Sequence, residues 1–493
     1  MREGDGILAR QTGAQQNGNK LGIGEDFWPS IEEFFAGAFA FGALGEWQGV
    51  GGKGGARGGL IDCKYGENSP KQVPVRVRFI KRFSMSVCIQ TLTDLAGKKI
   101  LLGITGGIAA YKCAELVRLL KKSGADVLVG MTDAATRFVT PLTFQALSGH
   151  PVAVDAWNPD QGNGMHHIDL TRTADLMVVA PASADFLAKI AQGRADDLLS
   201  TLVLARDCPL AVAPAMNRQM WSNSATQRNV AQLRADGISI WGPASGAQAC
   251  GETGEGRMQE ASELLEQIIA ALTPKVLAGQ RMVMTVGPTF EPLDPVRGIT
   301  NRSSGQMGYA MARAFGQAGA EVTLVSGPVN LATPLGVRRI DVESAAEMRQ
   351  AVMREIGNAT VFVGVAAVAD YRPVNVAEHK LKKTESESAQ RGRTIELTTN
   401  PDILAEVAAL PAAPFCVGFA AESQHLDEYA EAKRRRKKLP LMIGNLVADG
   451  LGTTDNQVTL YDDVGRHPLP LLHKADLAKR LVEELAKRLN AAA

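Results

Sequence analysis

The sequence has almost no excess charge of either sign, so it lacks the electrostatic signature of many nucleic-acid and membrane-surface proteins. Its 493 residues include 53 Lys and Arg against 52 Asp and Glu, a formal net charge of +1. No overall field therefore favours a polyanionic partner. We predict that the chain binds neither nucleic acid nor a membrane.

Closely spaced cysteine pairs and long apolar runs are also missing. The six cysteines occur without CxxC spacing, which argues against a disulfide framework or a zinc site and suits a reducing compartment. The longest apolar stretch, residues 34–45, is far shorter than the roughly 20 residues that a membrane span needs. We therefore expect a soluble, cytoplasmic protein. A chain of this length exceeds one ordinary domain.

The first 94 residues lack the alternation of strand and helix patterns that follows. They are rich in glycine, notably at residues 49–55, and they bury too little apolar surface to offset the entropy of ordering. Two interpretations stay open for this low-order N-terminal extension. It is a flexible tail that binds a partner, or translation begins at Met85 and residues 1–84 are never made. We favour the second.

From residue 95 the pattern predicts two α/β domains in series, at residues 95–274 and 275–493. In the first, residues 99–104 have the pattern of a buried strand, and the helix after residue 108 places four apolar side chains on one face: Cys113, Leu116, Val117 and Leu120. Residues 281–287 and 308–319 repeat this strand and helix. Both domains are therefore predicted to be Rossmann-like with parallel sheets.

Three turns of the first domain, residues 105–107, 131–132 and 180–185, follow predicted strands. Open α/β sheets bind ligands at the carboxyl ends of their strands, and backbone N–H groups at a helix start attract anions. These turns therefore predict a cradle for a phosphorylated cofactor. The turn at 105–107 lacks GxGxxG spacing, so the alternative, that its glycines only allow tight packing of helix on strand, stays open.

The stretch from Pro214 to Trp221 follows another predicted buried strand, residues 210–213. Asn217 offers a carboxamide that can donate and accept hydrogen bonds, between apolar Met and Trp side chains. This composition suits the wall of a ligand site. The alternative is a strand-to-helix turn in which Asn217 only caps the next helix.

Two further segments of the first domain carry candidate catalytic groups. His167 has a side chain whose ordinary pKa lies near neutrality, which suits a general base, although most histidines in such pairs are structural. Residues 249–258 surround charged side chains with glycines, a pattern typical of a mobile lid, with Cys250 at its hinge. The alternative for this segment is an ordinary surface loop.

The second domain carries a polar loop at residues 288–306, before the repeated helix, which suits a phosphorylated ligand. Residues 361–371 have the pattern of a buried strand that leads into a polar turn. Asn400 is predicted to cap a helix that has Pro401 at its first position.

Residues 433–438 form the strongest local charge feature. A solvated helix face or a general polyanion patch explains such a run in most proteins. Lys433 and Lys437, four residues apart on one helical face, would also suit a nucleoside triphosphate.

Residues from about 95 to 485 resemble the bifunctional bacterial enzymes of coenzyme A synthesis, in which phosphopantothenate–cysteine ligase is fused to 4′-phosphopantothenoylcysteine decarboxylase. Nine motifs carry the resemblance, in order along the chain: TGGIAAYK (105–112), HHID (166–169), PASAD (181–185), PAMNRQMW (214–221), ACGETGEGRM (249–258), TNRSSGQMG (300–308), AAVADYRP (366–373), KLKK (380–383) and NPDI (400–403). Their number and order make the resemblance more specific than any one motif.

For the first domain, the resemblance implies a flavodoxin-like decarboxylase. The residues implied for FMN are Thr105, Gly106, Gly107, Thr132 and Ser183. The family oxidises the cysteinyl thiol of its substrate on FMN, releases CO₂ and returns the hydride to the enethiol. In this scheme His167 acts as a base, Asn217 holds the departing carboxylate and Cys250 returns a proton to the product.

For the second domain, the resemblance implies binding of CTP with a divalent cation such as Mg²⁺. The carboxylate of phosphopantothenate becomes an acyl cytidylate, and the amine of L-cysteine then displaces CMP. Asn301 and Lys380 are implied as catalytic residues, and Asp370 is a candidate for the metal. The residues implied for CTP are Gly364, Val365, Ala366, Asp370, Lys380, Pro401, Asp402, Ile403, Leu404, Phe419, Lys433 and Lys437.

The family also implies a homo-oligomer, with trimers of the decarboxylase domain and dimers of the ligase domain. Three other classes compete with this interpretation. A stand-alone flavin decarboxylase of peptidyl cysteines does not explain the second domain, and a regulatory flavoprotein that binds phosphatases would be expected to lose one catalytic group. An NAD-dependent dehydrogenase would be expected to carry GxGxxG.

Overall fold

A computed structural model describes residues 94–155, 166–382 and 394–492. The predicted N-terminal extension lies outside these residues, except at its end. In the first half of the described chain, five strands form one parallel sheet: β1 (Lys99–Ile104), β2 (Asp126–Met131), β3 (Leu176–Ala182), β4 (Leu210–Pro214) and β5 (Ser239–Ile240).

The strand order across this sheet is β2-β1-β3-β4-β5. This is the flavodoxin-like order, in which the direction of winding reverses next to the first strand and leaves a crevice there for a ligand. An antiparallel hairpin follows, made of β6 (Ala244–Ala247) and β7 (Thr253–Arg257).

Nine α-helices belong to this half of the described chain: α1 (Lys112–Lys122), α2 (Asp133–Thr136), α3 (Pro141–Ser148), α4 (His166–Arg172), α5 (Ala184–Ala191), α6 (Leu198–Ala205), α7 (Arg218–Ser222), α8 (Ser224–Ala235) and α9 (Ala261–Leu272). A 3₁₀ turn, Ile108–Tyr111, precedes α1. Helix α1 buries the four apolar side chains that its periodicity predicts, so that prediction is confirmed.

Fourteen strands lie in the second half of the described chain: β8 (Arg281–Val286), β9 (Phe290–Pro292), β10 (Gly298–Thr300), β11 (Glu321–Ser326), β12 (Arg338–Asp341), β13 (Val361–Gly364), β14 (Tyr371–Pro373), β15 (Leu397–Thr399), β16 (Phe415–Glu422), β17 (Leu441–Leu446), β18 (Asp455–Asn456), β19 (Thr459–Tyr461), β20 (Arg466–Pro468) and β21 (Leu472–His473). Its α-helices are α10 (Gln306–Gln317), α11 (Ala345–Glu355), α12 (Ile403–Ala408), α13 (Leu426–Arg436), α14 (Val447–Gly450) and α15 (Lys474–Ala492), with a 3₁₀ turn at Ile356–Asn358.

The main sheet of this half has the order β12-β11-β8-β13-β16-β17-β19-β20. Its first six strands are parallel and follow the Rossmann order, whereas β19 and β20 are antiparallel additions at one edge. The prediction of two parallel-sheet domains in series is thus confirmed. The chain passes between the sheets after α9, near the predicted boundary at residue 274, and the exact boundary stays a prediction.

Both sheets are covered by helices on both faces. One face of the first sheet packs against α1 and α9, and the other against α5, α6 and α8. In the second sheet, α10 and α15 cover one face, while α11, α12 and α13 cover the other. Burial on both faces explains why the central strands are almost continuously apolar.

One strand is shorter than its sequence pattern predicts. Residues 361–371 have a strand-like pattern, but β13 ends at Gly364. Pairing with β16 stops there, while the N–H groups of Val365 and Ala367 still donate to the carbonyls of Thr285 and Gly287. Residues 365–370 therefore form a loop beyond the carboxyl end of β13. No helix in the described part of the chain combines the length and apolarity needed to cross a bilayer.

Candidate active sites

The first candidate site lies at the carboxyl ends of β1, β2 and β3, where three predicted FMN residues come together. Thr105 is 1% exposed; its Oγ1 donates to the carbonyl of Pro181 at 2.7 Å and accepts from the N–H of Ser183 at 3.0 Å. The hydroxyl oxygens of Thr132 and Ser183 accept from backbone N–H groups of α2 and α5, at 3.3 and 3.2 Å. The hydroxyl of Thr105 therefore ties together the turns after β1 and β3, and those of Thr132 and Ser183 cap α2 and α5.

The two glycines of the first turn have different roles. A Cβ on Gly106 would lie 2.5 Å from Cβ of Ala134, so close packing excludes a side chain there. A Cβ on Gly107 would meet nothing within 4 Å, so the backbone at Gly107 is open to an approaching ligand. Tight packing explains Gly106, and an accessible turn at the winding reversal fits a phosphate-bearing cofactor at Gly107.

Asn217 follows β4, and both ends of its carboxamide are used. Oδ1 accepts from the N–H of Gln219 at 2.8 Å and so caps α7. Nδ2 donates to Oε2 of Glu252 at 2.7 Å and lies 3.6 Å from Sγ of Cys250. The capping role is therefore present, and the N–H donors still face the segment that was predicted to be a lid.

The predicted lid, residues 249–258, contains the turn and the second strand of the hairpin of β6 and β7, and we call residues 244–257 the flap. The carbonyl of Gly256 accepts from the N–H of Met216 at 2.9 Å, and Nε1 of Trp221 donates to Glu255 at 3.1 Å. The flap is thus docked on the stretch from Pro214 to Trp221. Cys250 lies in its turn and is exposed.

Glu252 is a flap residue that the sequence analysis missed. Its carboxylate accepts from Nδ2 of Asn217 and from Nε2 of Gln219 at 3.0 Å, with Nε of Arg218 3.7 Å away. The hydrogen bonds from Gln219 and Asn217 hold the pKa of Glu252 below its ordinary value. Nδ2 of Asn217, which the family resemblance assigns to the carboxylate of the substrate, is therefore hydrogen-bonded to a carboxylate of the protein itself.

Two thiols near the first sheet differ in what they can do. Sγ of Cys113 donates to the carbonyl of Ala180 at 2.8 Å, and burial raises the pKa of this thiol. It is a packing residue. Cys250 is exposed beside Asn217, so its thiol can meet a bound substrate.

The side chain of His167 lies outside the described residues. Its backbone belongs to the start of α4. The role of His167 as a base stays a prediction.

The docking of the flap gives a first testable prediction, at Gly256. Its φ is 136°, and a Cβ there would lie 2.3 Å from the carbonyl oxygen of Met216. Gly256→Ala should therefore release the flap and slow decarboxylation by roughly 10- to 100-fold, since small misplacements at a site cost about this much. Trypsin cleavage after Arg257 should become faster.

The matched control is Gly246→Ala on the opposite strand of the flap. A Cβ there would approach only the flexible side chain of Arg257, at 3.3 Å, and no positive φ is involved. Equal protease sensitivity and equal decarboxylation in both variants would show that flap docking at Gly256 is unimportant.

The second candidate site is a cavity of about 760 Å³ at the carboxyl ends of β8, β13, β16 and β17. It lies where the Rossmann order reverses, next to the first strand of the sheet. The predicted residues that line it are Asn301, Gly364, Val365, Ala366, Asp370, Pro401, Asp402, Ile403, Leu404, Phe419, Lys433 and Lys437.

Two asparagines hold the loop of residues 365–370 in the wall of this cavity. Nδ2 of Asn301 donates to the carbonyl of Ala367 at 2.8 Å. Nδ2 of Asn400 donates to the carbonyl of Ala369 at 2.9 Å. The backbone N–H of Asn400 donates to the backbone carbonyl of Asp370, also at 2.9 Å. The position of Asp370 therefore depends on both amides.

The predicted capping role of Asn400 is wrong. Helix α12 begins at Ile403, and its cap is Asp402, whose Oδ1 accepts from the N–H of Ala405 at 3.1 Å. The amide of Asn400 is already engaged with the loop before β14, and Pro401 therefore precedes the helix instead of opening it.

The basic run at 433–438 is divided between the cavity and the protein interior. Nζ of Lys433 lies 2.7 Å from Oε1 of Glu422, and Nζ of Lys437 lies 2.8 Å from Oδ1 of Asp402. Arg434 turns away from the cavity: its side chain is 8% exposed and pairs with a carboxylate of the same helix. The run is therefore not a uniform solvated face, and both predicted lysines line the cavity.

Lys380 is the predicted nucleotide residue that does not line the cavity, and its side chain is exposed. The next residue is anchored elsewhere: the N–H of Leu381 donates to Asp294 at 3.1 Å, and its carbonyl accepts from Arg297 at 2.6 Å. Residues 383–393 lie outside the described part of the chain. A catalytic role for Lys380 stays a prediction, and it would require the side chain of Lys380 to approach the cavity.

Three buried polar residues that the sequence analysis did not identify also line the cavity: Asn445, Asn456 and Lys474. They belong to no motif recognised in the sequence. Only the fold brings them together.

Two open α/β sheets in series, each with polar side chains at its winding reversal, define a two-domain protein of the nucleotide-binding α/β class. Residues 89–273 match the family model described as Flavoprotein, and residues 277–489 match the DNA/pantothenate metabolism flavoprotein C-terminal domain. The coenzyme A biosynthesis bifunctional protein CoaBC of Vibrio cholerae is 52% identical over 395 residues, which are 79% of this chain and 98% of that protein. CoaBC of Escherichia coli K12 is 48% identical over 400 residues, 80% of this chain and 98% of that protein.

The chain belongs to the family of bifunctional coenzyme A biosynthesis proteins, which confirms the resemblance in its motifs. It is an enzyme that combines a flavoprotein decarboxylase of phosphopantothenoylcysteine with phosphopantothenate–cysteine ligase. Among solved structures, the C-terminal domain of a CoaBC protein is 38% identical and covers 44% of this chain and 99% of that chain, with a TM-score of 0.38.

Proposed function

We propose that the second domain joins 4′-phosphopantothenate to L-cysteine at the expense of CTP, through an acyl cytidylate, and that the first domain decarboxylates the product to 4′-phosphopantetheine with FMN. The observation that carries the proposal is that one cavity is lined by all the predicted nucleotide residues except Lys380, together with the predicted catalytic residue Asn301. These nucleotide residues are spread from Gly364 to Lys437 along the chain. Its volume of about 760 Å³ is in the range of small-molecule sites.

Lys433 and Lys437 would hold the triphosphate in this proposal. Each ammonium now faces one carboxylate, and phosphate oxygens would compete with Glu422 and Asp402 for it. Phe419 supplies an apolar wall in the same cavity. Asn301 has a positioning role, because its amide fixes the loop that carries Asp370.

A divalent cation would be held mainly by the nucleotide. Within the described residues, no group of three or more His, Cys, Asp or Glu side chains could bind a metal ion. Mg²⁺ commonly uses one or two carboxylates together with substrate phosphates and water. Asp370, exposed at the cavity wall, is the candidate carboxylate.

In the first domain, FMN would lie against the turn at Gly106 and Gly107. Thr105, Thr132 and Ser183 would hold the surrounding turns, at the carboxyl ends of β1, β2 and β3, in place. The flavin would supply the two-electron acceptor and donor for the reaction. Asn217 would bind the carboxylate of the substrate after the hydrogen bond between its Nδ2 and Glu252 has broken. Cys250, on the flap next to Asn217, would donate the proton to the product.

We also propose that the protein is a homo-oligomer, built from decarboxylase trimers and ligase dimers. Four large apolar side chains on the segments that follow β1 and β2 are at least half exposed: Ile108, Tyr111, Phe138 and Leu142. Exposed apolar surface of this kind favours a covered interface. A cytoplasmic location is part of the proposal.

One preparation tests both reactions. We expect the purified protein to show flavin absorbance and to form CMP and CO₂ from phosphopantothenate, cysteine and CTP. Omitting CTP should abolish both products, and supplying phosphopantothenoylcysteine directly should restore CO₂ alone. Formation of CO₂ from phosphopantothenate and cysteine without a nucleotide would contradict the proposed order of reactions, and a colourless, inactive protein would contradict the decarboxylase.

A further inference from the structure

One side of the second cavity is built from three buried polar side chains that no step above uses. Asn445, Asn456 and Lys474 are 7%, 3% and 6% exposed, and all three line the cavity. We call them the polar corner. Buried polar groups at a ligand cavity require an explanation, because each is costly unless it finds a partner.

The fold brings the polar corner together around Gly450. Strand β18 pairs with β21, with Asn456 opposite Leu472, and the N–H of Lys474 donates to the carbonyl of Thr454 at 3.1 Å. A Cβ on Gly450 would lie 2.6 Å from Nδ2 of Asn445 and 2.6 Å from Oδ1 of Asn456. The absence of a side chain at this position therefore lets both amides approach.

Lys474 carries a buried positive charge. Its Nζ donates to the carbonyl of Gly450, at 3.0 Å, and to the carbonyl of Thr453. An ammonium group has three N–H donors, so one of them remains for a ligand. Burial lowers the pKa of this ammonium, and Asp455 raises it through space. Among the described residues, however, no carboxylate forms an ion pair with Nζ of Lys474. Such a charge is expected to favour an anion.

Asn456 supplies the second observation. Its Oδ1 is buried and has no hydrogen-bond partner among the described residues. Rotation of the amide exchanges its oxygen and nitrogen, so Asn456 can offer either an acceptor or a donor at this point. An unused amide and an unused ammonium donor therefore lie in the same wall of one cavity.

The polar corner is distinct from the lysines assigned to the triphosphate. Lys433 and Lys437 are carried by α13 and its end, and α13 packs on one face of the sheet. Lys474 begins α15, which packs on the opposite face together with α10. Lys474 thus approaches the cavity from the face of the sheet opposite to Lys433 and Lys437.

We propose that the polar corner is the subsite for an anionic group of a second ligase substrate, a phosphate or a carboxylate, received by Nζ of Lys474 and the amide of Asn456. The inference rests on the proposed ligase function and deepens it. Two sources carry this chemistry: the phosphate of phosphopantothenate and the carboxylate of cysteine. CTP does not depend on the corner, since its phosphates are assigned to the opposite face.

The test is Asn456→Asp, which keeps the size of the side chain and adds a negative charge. The new carboxylate gives the ammonium of Lys474 a counter-ion, so the melting temperature should stay equal or rise. At the same time it repels an incoming anion, so the KM for phosphopantothenate or for cysteine should rise at least about tenfold. The substrate whose KM rises identifies the source, and the KM for CTP should stay within about twofold.

Lys474→Met provides the second measurement, with Lys479→Met as its control. Lys479 lies on the same helix and pairs with Asp94 and Asp476 instead of lining the cavity. Lys474→Met should raise the same KM as Asn456→Asp, whereas Lys479→Met and the decarboxylation of supplied phosphopantothenoylcysteine should be unaffected.

Unchanged KM values for phosphopantothenate and cysteine in Asn456→Asp would overturn the subsite, and so would an increase confined to CTP. A wild-type protein that fails to ligate at all would instead overturn the proposed function. The two failures are therefore distinguishable in one set of assays.

Discussion

Replacement of Asn217 by aspartate is expected to reduce decarboxylation by roughly 100-fold or more, while FMN stays bound and ligation continues. The substitution keeps the oxygen that accepts from the N–H of Gln219, so α7 retains its cap. It removes the N–H donors of the amide and places a negative charge beside Glu252. A substrate carboxylate would then meet repulsion where the wild-type protein offers a donor.

The measurement uses one preparation for three readouts: flavin absorbance, CO₂ from supplied phosphopantothenoylcysteine, and CMP from the ligase reaction. The matched control is Asn223→Asp. Asn223 caps α8 with the same geometry, since its Oδ1 accepts from the N–H of Ala225 at 2.9 Å. Equal losses of decarboxylation in the two variants, or loss of ligation together with decarboxylation, would mean that Asn217 acts only as a cap.

The contact between Asn217 and Glu252 suggests how the flap works with the substrate. Glu252 is held by the donors of Asn217 and Gln219, and it belongs to the segment that also carries Cys250. In the proposed mechanism, a substrate carboxylate that bonds to Nδ2 of Asn217 would have to displace Glu252, and this exchange would alter the flap near the thiol of Cys250. Carboxylate binding and placement of the proposed proton donor would then be coupled through one hairpin.

Local features of the fold were predictable because their causes are local. The buried face of α1 follows from a helical repeat that spans Cys113 to Leu120, and β1 follows from a short run that is apolar on both sides. The strand orders of the two sheets are not local. The position of β1 between β2 and β3, and of β8 between β11 and β13, depends on pairings between residues far apart in the sequence.

The candidate sites show the same limit. The motifs pointed to Asn217 and Cys250, and the local run of charge pointed to Lys433 and Lys437, because these residue types and their neighbours are informative. Glu252 was missed, because its role comes from a hydrogen bond to a residue 35 positions away. Asn400 was assigned to a helix cap, because the sequence contains no sign that the carbonyl of Ala369 competes for its amide. Lys474 belongs to no motif, and burial alone sets it apart.

Lys437→Met is expected to raise the KM for CTP by roughly 10- to 100-fold, with little change in the KM for the other substrates. The side chain of Lys437 is 17% exposed, so its ammonium is partly removed from water and interacts strongly with a charge. Methionine keeps the approximate length of the side chain and removes the charge. Asp402 would then face the triphosphate without its cation.

The measurement is the initial rate of CMP formation at varied CTP, at low and at physiological salt. Arg435→Met is the matched control on the same basic run: its side chain is 75% exposed, pairs with Glu431 and does not line the cavity. The effect of Lys437→Met should persist at physiological salt, because a partly buried charge is screened less than an exposed one. An equal effect of Arg435→Met would show that the whole basic run attracts CTP as a general polyanion patch, and a selective rise in the KM for cysteine would place the triphosphate elsewhere.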